Sequence, residues 1–239
     1  MPRKVLILGG TKEARMLASR LLRVGLDVTS SFAGVTENPI LPEGKIRKGG
    51  FGGVAGLRSY LVDEQVDLLV DATHPFAAVI SAHAAEASPN VMRLERPAWS
   101  PLPQDHWLDV EDNEAALAAL PSGAPVMLTI GRKEVSAFTS RSDLRGVARM
   151  IEPPAEIMPA SWALLLERPP FTTINEIALM KQYHITHLVT KNAGGRETAA
   201  KLEAARSLGM PVVMIARPIK PQVETYTTVD AIAAAIASR

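Results

Sequence analysis

Short apolar runs alternate with stretches of helical period along the first half of the chain. Lys4–Leu8 is apolar after its leading cation, and Gly9-Gly10 turns the chain behind it. From Thr11 to Val24 the apolar positions fall at Ala14, Leu17, Ala18, Leu21 and Leu22, one face of a helix. Val28–Phe32 and Lys45–Lys48 read as strands, Val54–Glu64 as a helix and Val66–Val70 as a strand. An Ala-rich helix is predicted over Phe76–Ala87, begun by Pro75 at its permitted first position, and a further strand over Val91–Leu94. Strands apolar throughout and joined by helices predict a parallel sheet covered on both faces.

Pro97, Pro101 and Pro103 then crowd Arg96–Gln104, where fixed φ angles and missing N–H donors leave no regular element. Beyond this segment the pattern resumes. Strands are predicted at Pro125–Ile130, Val147–Ile151, Trp162–Leu166, His187–Thr190 and Val212–Ile215. Helices are predicted at Arg132–Phe138, Ile174–Tyr183, Glu197–Leu208 and Val229–Ala237. The fold class expected is α/β: two Rossmann-like lobes with parallel sheets flanked by helices and a ligand cleft between them. The Pro-rich hinge places the division at residues 1–100 and 101–239.

Composition narrows the function. In 239 residues, 47% hydrophobic and 21% charged, there is apolar material for two cores. The absence of cysteine excludes disulfides, thiolate catalysis and iron–sulfur clusters. A net charge of +1 is spread over short loops and forms no continuous basic face, which argues against nucleic-acid binding. His83, His106, His184 and His187 have no metal-ligand spacing, so no metal is expected. The apolar run near the N-terminus is too short for a leader and no stretch approaches bilayer length. A cytoplasmic protein without membrane contact is the expectation.

In open parallel sheets ligands bind beyond the carboxyl ends of the strands, so the residues after each strand carry the chemistry. Gly9, Gly10 and Thr11 make a tight turn into a capped helix whose free N–H groups suit an anion. Lys12 and Arg15 in its first turn are unfavourable beside the positive helix end unless an anion offsets them. The turn lacks the third glycine of G-x-G-x-x-G, and it reads also as an ordinary capped connection. Ser30 and Ser31 stand where NAD enzymes carry an acid, which favours a 2′-phosphate and hence NADP. Gly50, Phe51 and Gly52 lie in a loop dense enough in glycine for close backbone approach to a flat or phosphorylated ligand. Asp71, Thr73 and His74 end the next strand, and His74 is the one nominee for proton transfer. Arg93 and Arg96 follow the strand after it. In the second half, Gly131, Arg132 and Lys133, then Lys191, Asn192, Gly194 and Gly195, then Arg217, again put cations and glycines at strand ends. Four such cations on one sheet edge repel one another, and a bound polyanion would relieve them.

GGTKEAR, GGFGG, DATHPFA, RLERP, TIGRKE, PPF followed by NE, VTKNAGG and MIARP occur in that order from Gly9 to Pro218. Taken together they resemble the precorrin-6A reductase family of cobalamin biosynthesis, with DATHPFA and TKNAGG the most specific pieces. The resemblance implies NADPH-dependent reduction of one double bond of the precorrin-6A macrocycle to give precorrin-6B, with neither metal nor flavin. Gly9, Gly10, Thr11, Gly131, Arg132, Lys191, Asn192, Gly194, Gly195 and Arg217 are then expected to hold the cofactor. Lys12, Arg15, Gly50, Phe51, Gly52, Asp71, Thr73, Arg93 and Arg96 are expected at the tetrapyrrole. The residues alone leave three alternatives: another NADP-dependent reductase, a cofactor-free tetrapyrrole lyase or cyclase, and a two-lobed binding protein.

Overall fold

The computed structural model describes residues 2–33 and 40–238. In chain order the elements are β1 (Lys4–Leu8), α1 (Lys12–Arg23), β2 (Asp27–Phe32), β3 (Lys45–Lys48), α2 (Gly53–Asp63), β4 (Leu68–Asp71), α3 (Ala78–Ala87) and β5 (Met92–Leu94). There follow β6 (His106–Val110), α4 (Asn113–Ala118), β7 (Pro125–Thr129), α5 (Val135–Thr139), β8 (Arg145–Met150), β9 (Trp162–Leu166) and α6 (Thr173–Gln182). The chain closes with β10 (His187–Lys191), α7 (Ala200–Ser207), β11 (Pro211–Ile215), β12 (Glu224–Tyr226) and α8 (Val229–Ala237). No helix among the described residues is long and apolar enough to cross a membrane.

Two compact units result, Met1–Pro97 with Pro218–Arg239, and Ala98–Arg217. The first holds a six-stranded sheet in the order β12-β5-β4-β1-β2-β3, every pair parallel. Successive side chains of a strand point to opposite faces, and β1 shows the consequence. Val5 and Ile7 enter one core with Leu17 and Leu21 of α1 and Ile232 and Ile236 of α8. Leu6 and Leu8 enter the other with Leu57 of α2 and Ala84 of α3. Burial on both faces is why β1 and β4 read as unbroken apolar runs.

The second unit has the order β6-β11-β10-β7-β8-β9, again parallel throughout. Its winding β9-β8-β7-β10-β11 repeats β3-β2-β1-β4-β5 of the first. In each sheet the remaining edge strand comes from the segment that joins the units: β6 just after the first crossing, β12 just after the second.

The expected division at residue 100 lies close to the first crossing, but the second crossing corrects the assignment of residues 218–239 to the second lobe. After Pro218 the chain returns to the first unit. There β12 pairs with β5 through Glu224↔Met92 and Tyr226↔Leu94, and α8 covers α1. Pairing the edge of β5 and completing the core that α1 shares with the sheet is the physical reason for the return. Three further details differ. Pro75 and Phe76 form a turn, with the Ala77 N–H bonded to the His74 carbonyl at 2.8 Å, and the helix starts at Ala78. The expected helix from Arg132 starts at Val135. A short 3₁₀ turn, Arg196–Thr198, precedes α7 where one continuous helix was expected.

Candidate functional site

In the first sheet the winding reverses between β1 and β4, the place where open α/β sheets receive ligands. Register aligns the strand ends there: Leu8 stands opposite both Ser31 and Asp71, and Asp71 opposite Arg93. Gly10 has φ 120°, a left-handed conformation that glycine alone adopts without strain, and it turns the chain into α1. Thr11 caps that helix. Its Oγ1 accepts the Ala14 N–H at 3.0 Å and donates to the Ala72 carbonyl at 2.9 Å, fastening the two loops of the switch point together. The exposed N–H groups at the start of this 12-residue helix remain directed out of the sheet edge, a fixed anion-binding feature. Lys12 is exposed and Arg15 half-buried beside it.

Asp71 and Arg93 lie buried at the same edge. They are 1% and 6% exposed and pair with each other, Nε to Oδ2 at 3.0 Å. Thr73 Oγ1 donates to the other Asp71 oxygen at 2.7 Å, and Arg93 Nη1 donates to the Pro221 carbonyl at 3.0 Å. Burial pushes the Asp71 carboxyl up. Hydrogen bonds from Thr73, Ser81 and Arg93, with the Arg93 charge, outweigh that and hold it below the ordinary carboxylate range. These contacts give the two side chains a structural role at the end of β4. Arg96 pairs with Glu13 at 3.0 Å.

His74 is exposed at the same edge. Thr73 is bonded to Asp71, through both its N–H and its hydroxyl. The Phe76 N–H donates to His74 Nδ1 at 3.3 Å, which places the proton of the neutral ring on Nε2. Lys220 reaches back to this loop from the returning segment. Its Nζ lies 2.6 Å from Glu95 Oε2 and 3.5 Å from the His74 carbonyl oxygen.

At the ends of β2 and β3, Phe51 packs edge-to-face on Tyr60 with ring centroids 5.2 Å apart. Gly56 permits this arrangement: a Cβ there would stand 1.7 Å from the Phe51 carbonyl oxygen. Arg47 of β3 stacks on Phe51 at 3.7 Å.

In the second unit the corresponding reversal lies between β7 and β10. Gly131 and Arg132 follow β7, Lys191 and Asn192 end β10, and Arg217 follows β11, so neighbouring strands do bring these residues to one edge. Carboxylates partner two of these cations. Lys191 Nζ lies 2.7 Å from Glu134, and Arg132 3.3 Å from Glu152. Arg217 donates to the carbonyls of Asn192 and Ala193 at 2.8 and 3.1 Å. These ion pairs lessen the mutual repulsion among the four cations at this edge. Asn192 is occupied too: its amide exchanges two hydrogen bonds, 2.8 and 3.0 Å, with the main chain of Trp99. Gly194 and Gly195 both have positive φ and shape the turn that follows. The residues expected around the cofactor are thereby divided between the two units. A cavity of about 540 Å³ involves none of these loops; it lies at the amino ends of β5 and β12, lined by Glu86, Asn90, Gln222 and Glu224 among others.

The chain matches the precorrin-6x reductase family, CbiJ/CobK, over residues 4–237. It belongs to that family. The precorrin-6A reductase of Rhodococcus erythropolis is 48% identical over 240 residues, covering 98% of this chain and 96% of the relative. That of Rhodobacter capsulatus is 41% identical, covering 96% and 94%. The cobalt-precorrin-6A reductase of Priestia megaterium is 32% identical, covering 98% of both chains. A solved structure of CobK precorrin-6A reductase superposes with a TM-score of 0.91 at 40% identity, over 99% of this chain and 96% of that one.

Membership makes the chain a reductase, an oxidoreductase acting on a CH–CH group. Three side-chain groups of the structure are not marked by any local pattern in the sequence. Arg47 lies within Lys45–Lys48, which reads only as a strand, and its place just before the GGFGG loop is the available signal. Lys220 lay outside every motif. Arg149 of β8 donates to both carboxylate oxygens of Glu176, 2.8 Å for Nη2, and stacks on Phe171 at 3.7 Å. That pair is buried, and no local pattern marks an arginine and a glutamate 27 positions apart as partners.

Proposed function

We propose that the protein reduces one carbon–carbon double bond of precorrin-6A to give precorrin-6B in cobalamin biosynthesis, with NADPH as the reductant. Family membership supports the reaction class. The fall in identity from 48% and 41% against two precorrin-6A reductases to 32% against a cobalt-precorrin-6A reductase favours the metal-free macrocycle as substrate.

The observation that carries the cofactor reading is the carboxyl edge of the first sheet. A helix N-terminus stands at the switch point, the end of β2 carries Ser30 and Ser31 in place of an acid, and Arg47 stands opposite Ser31. These groups fit a pyrophosphate and a 2′-phosphate, and lack the carboxylate that would repel the latter. NADPH supplies the hydride when bound. The turn from Gly9 to Thr11 fixes the phosphates, and exposed Lys12 and half-buried Arg15 receive carboxylates of the macrocycle. His74, exposed at the same edge, delivers a proton in its imidazolium form from Nε2 to the ring carbon beside the one reduced, and is left as neutral imidazole. Positioning accounts for the rest of catalysis.

Steady-state reduction of precorrin-6A with each nicotinamide cofactor tests the reading. We expect kcat/KM with NADPH to exceed that with NADH by at least about tenfold, the worth of one charge-assisted contact. Equal constants, or preference for NADH, overturn the cofactor assignment. Absence of turnover with either overturns the reaction.

A further inference from the structure

We propose that Arg47 forms an oxyanion-binding subsite at the carboxyl ends of β2 and β3, taking a phosphate monoester or a carboxylate of a bound ligand. The inference rests on the reading above and adds the residue that discriminates among anionic ligands. The guanidinium is held in place. Nη1 donates to the Gly49 carbonyl at 2.5 Å and lies 3.4 Å from Ser31 Oγ, while Nη2 donates to the Gly50 carbonyl at 2.9 Å. Its plane lies over Phe51 at 3.7 Å, with the Tyr60 ring at 5.0 Å.

These contacts aim the fork without neutralising it, since carbonyl dipoles and aromatic faces carry no net charge. Arg93, Arg96, Arg132, Lys191 and Lys220 each have a carboxylate partner. Arg47 has none among the described residues. A half-buried cation fixed in direction and left without a counter-charge is suited to receive one from a ligand. Its place is consistent with that. Arg47 stands opposite Ser31, whose carbonyl accepts the Gly9 N–H at 2.9 Å, so the subsite lies two strands, roughly 10 Å, from the start of α1. A nucleotide with its pyrophosphate on α1 would direct its ribose towards β2 and β3.

Two ligand groups share this chemistry, the cofactor 2′-phosphate and a carboxylate of the macrocycle, and the intact protein can tell them apart. Arg47→Gln keeps a donor for the glycine carbonyls and removes the charge; Arg47→Lys keeps the charge and loses the fork. Dissociation constants for NADPH and NADH would be read from nicotinamide fluorescence, those for 2′,5′-ADP and 5′-ADP by calorimetry, and KM for precorrin-6A from turnover. If the group is the 2′-phosphate, wild type prefers 2′,5′-ADP to 5′-ADP. Arg47→Gln then weakens NADPH by about ten- to hundredfold, leaving NADH unchanged. If the group is a carboxylate, KM for precorrin-6A rises by a similar factor while both nucleotides bind as before. Arg47→Lys should retain part of either effect. Constants within about twofold of wild type for every ligand in folded Arg47→Gln overturn the subsite. Should that variant not fold, wild-type constants for every ligand in Arg47→Lys overturn it. A wild type that binds neither nicotinamide cofactor defeats the cofactor reading instead, and dissociation constants for precorrin-6A itself, read from absorbance titration of wild type and Arg47→Gln, then decide the subsite: a loss of about tenfold or more supports it and equal constants overturn it.

Discussion

Removing the Asp71 charge separates a structural role for the end of β4 from a ligand-binding one. Asp71→Asn leaves Arg93 buried against an uncharged amide, and Arg93 Nη2 already has no partner. Breaking a buried pair from one side costs about 3–5 kcal/mol of folding stability. Urea unfolding should show that loss, with KM for precorrin-6A unchanged in the folded fraction; a near-native midpoint with a raised KM would return Asp71 to the substrate. The pH dependence has a definite sign. The folded-state pKa of Asp71 is depressed, so its contribution is complete above the ordinary carboxylate value of about 3.9 and is lost as pH falls below it. Acid unfolding of Asp71→Asn should accordingly lack part of the wild-type steepness in that range. His74→Ala asks the opposite question of an exposed side chain. As proton donor, His74 should account for about 10²-fold in kcat with little change in KM or melting temperature. A native kcat would leave the proton to solvent.

At the scale of elements, much was legible because local pattern and tertiary burial agree. The apolar runs at β1, β4, β7 and β11 are buried on both faces, and α1 carries its core residues at the spacing read from sequence. The strands that escaped are edges, and the six-residue helix α4 escaped with them. Strand β6 exposes His106, Leu108 and Asp109, and β12 is three residues long with only Tyr226 partly covered. Neither has an apolar face to announce it; each exists because a neighbouring strand offers an unpaired edge. Loops divide the same way. The position of each strand-end cluster was legible, since it follows from strand ends alone. Which side chains stay available to a ligand was not, because that depends on partners distant in sequence. Glu134 for Lys191 and Trp99 for Asn192 are such partners. In TKNAGG the asparagine fastens the inter-unit segment to β10, a structural use of what looked like a ligand contact.

The whole molecule is two copies of one winding joined by two crossings, and the second crossing makes the first unit discontinuous in sequence. Residues 98–217 contain every strand of their sheet, whereas residues 1–97 lack β12 and α8. Without α8, the Val5, Ile7, Leu17 and Leu21 face loses its contacts with Ile232 and Ile236, all of them fully or almost fully buried. Each buried side chain of this size contributes about 1.5–3 kcal/mol, so the loss is comparable to the whole stability of a small domain. A fragment of residues 98–217 should therefore unfold cooperatively in urea by itself. Residues 1–97 should not, and joining them to residues 218–239 through a short Gly/Ser linker should restore a cooperative transition. Circular dichroism with urea titration of the three fragments reads this directly. A cooperative transition in residues 1–97 alone, at the midpoint of the joined form, would show that the returning segment only covers a sheet already stable without it. The joined fragment also tells where the phosphates bind. If it retains the NADPH affinity of the intact chain, the turn from Gly9 to Thr11 with Arg47 suffices for the cofactor. If the affinity instead follows residues 98–217, the cofactor belongs to the Lys191 edge.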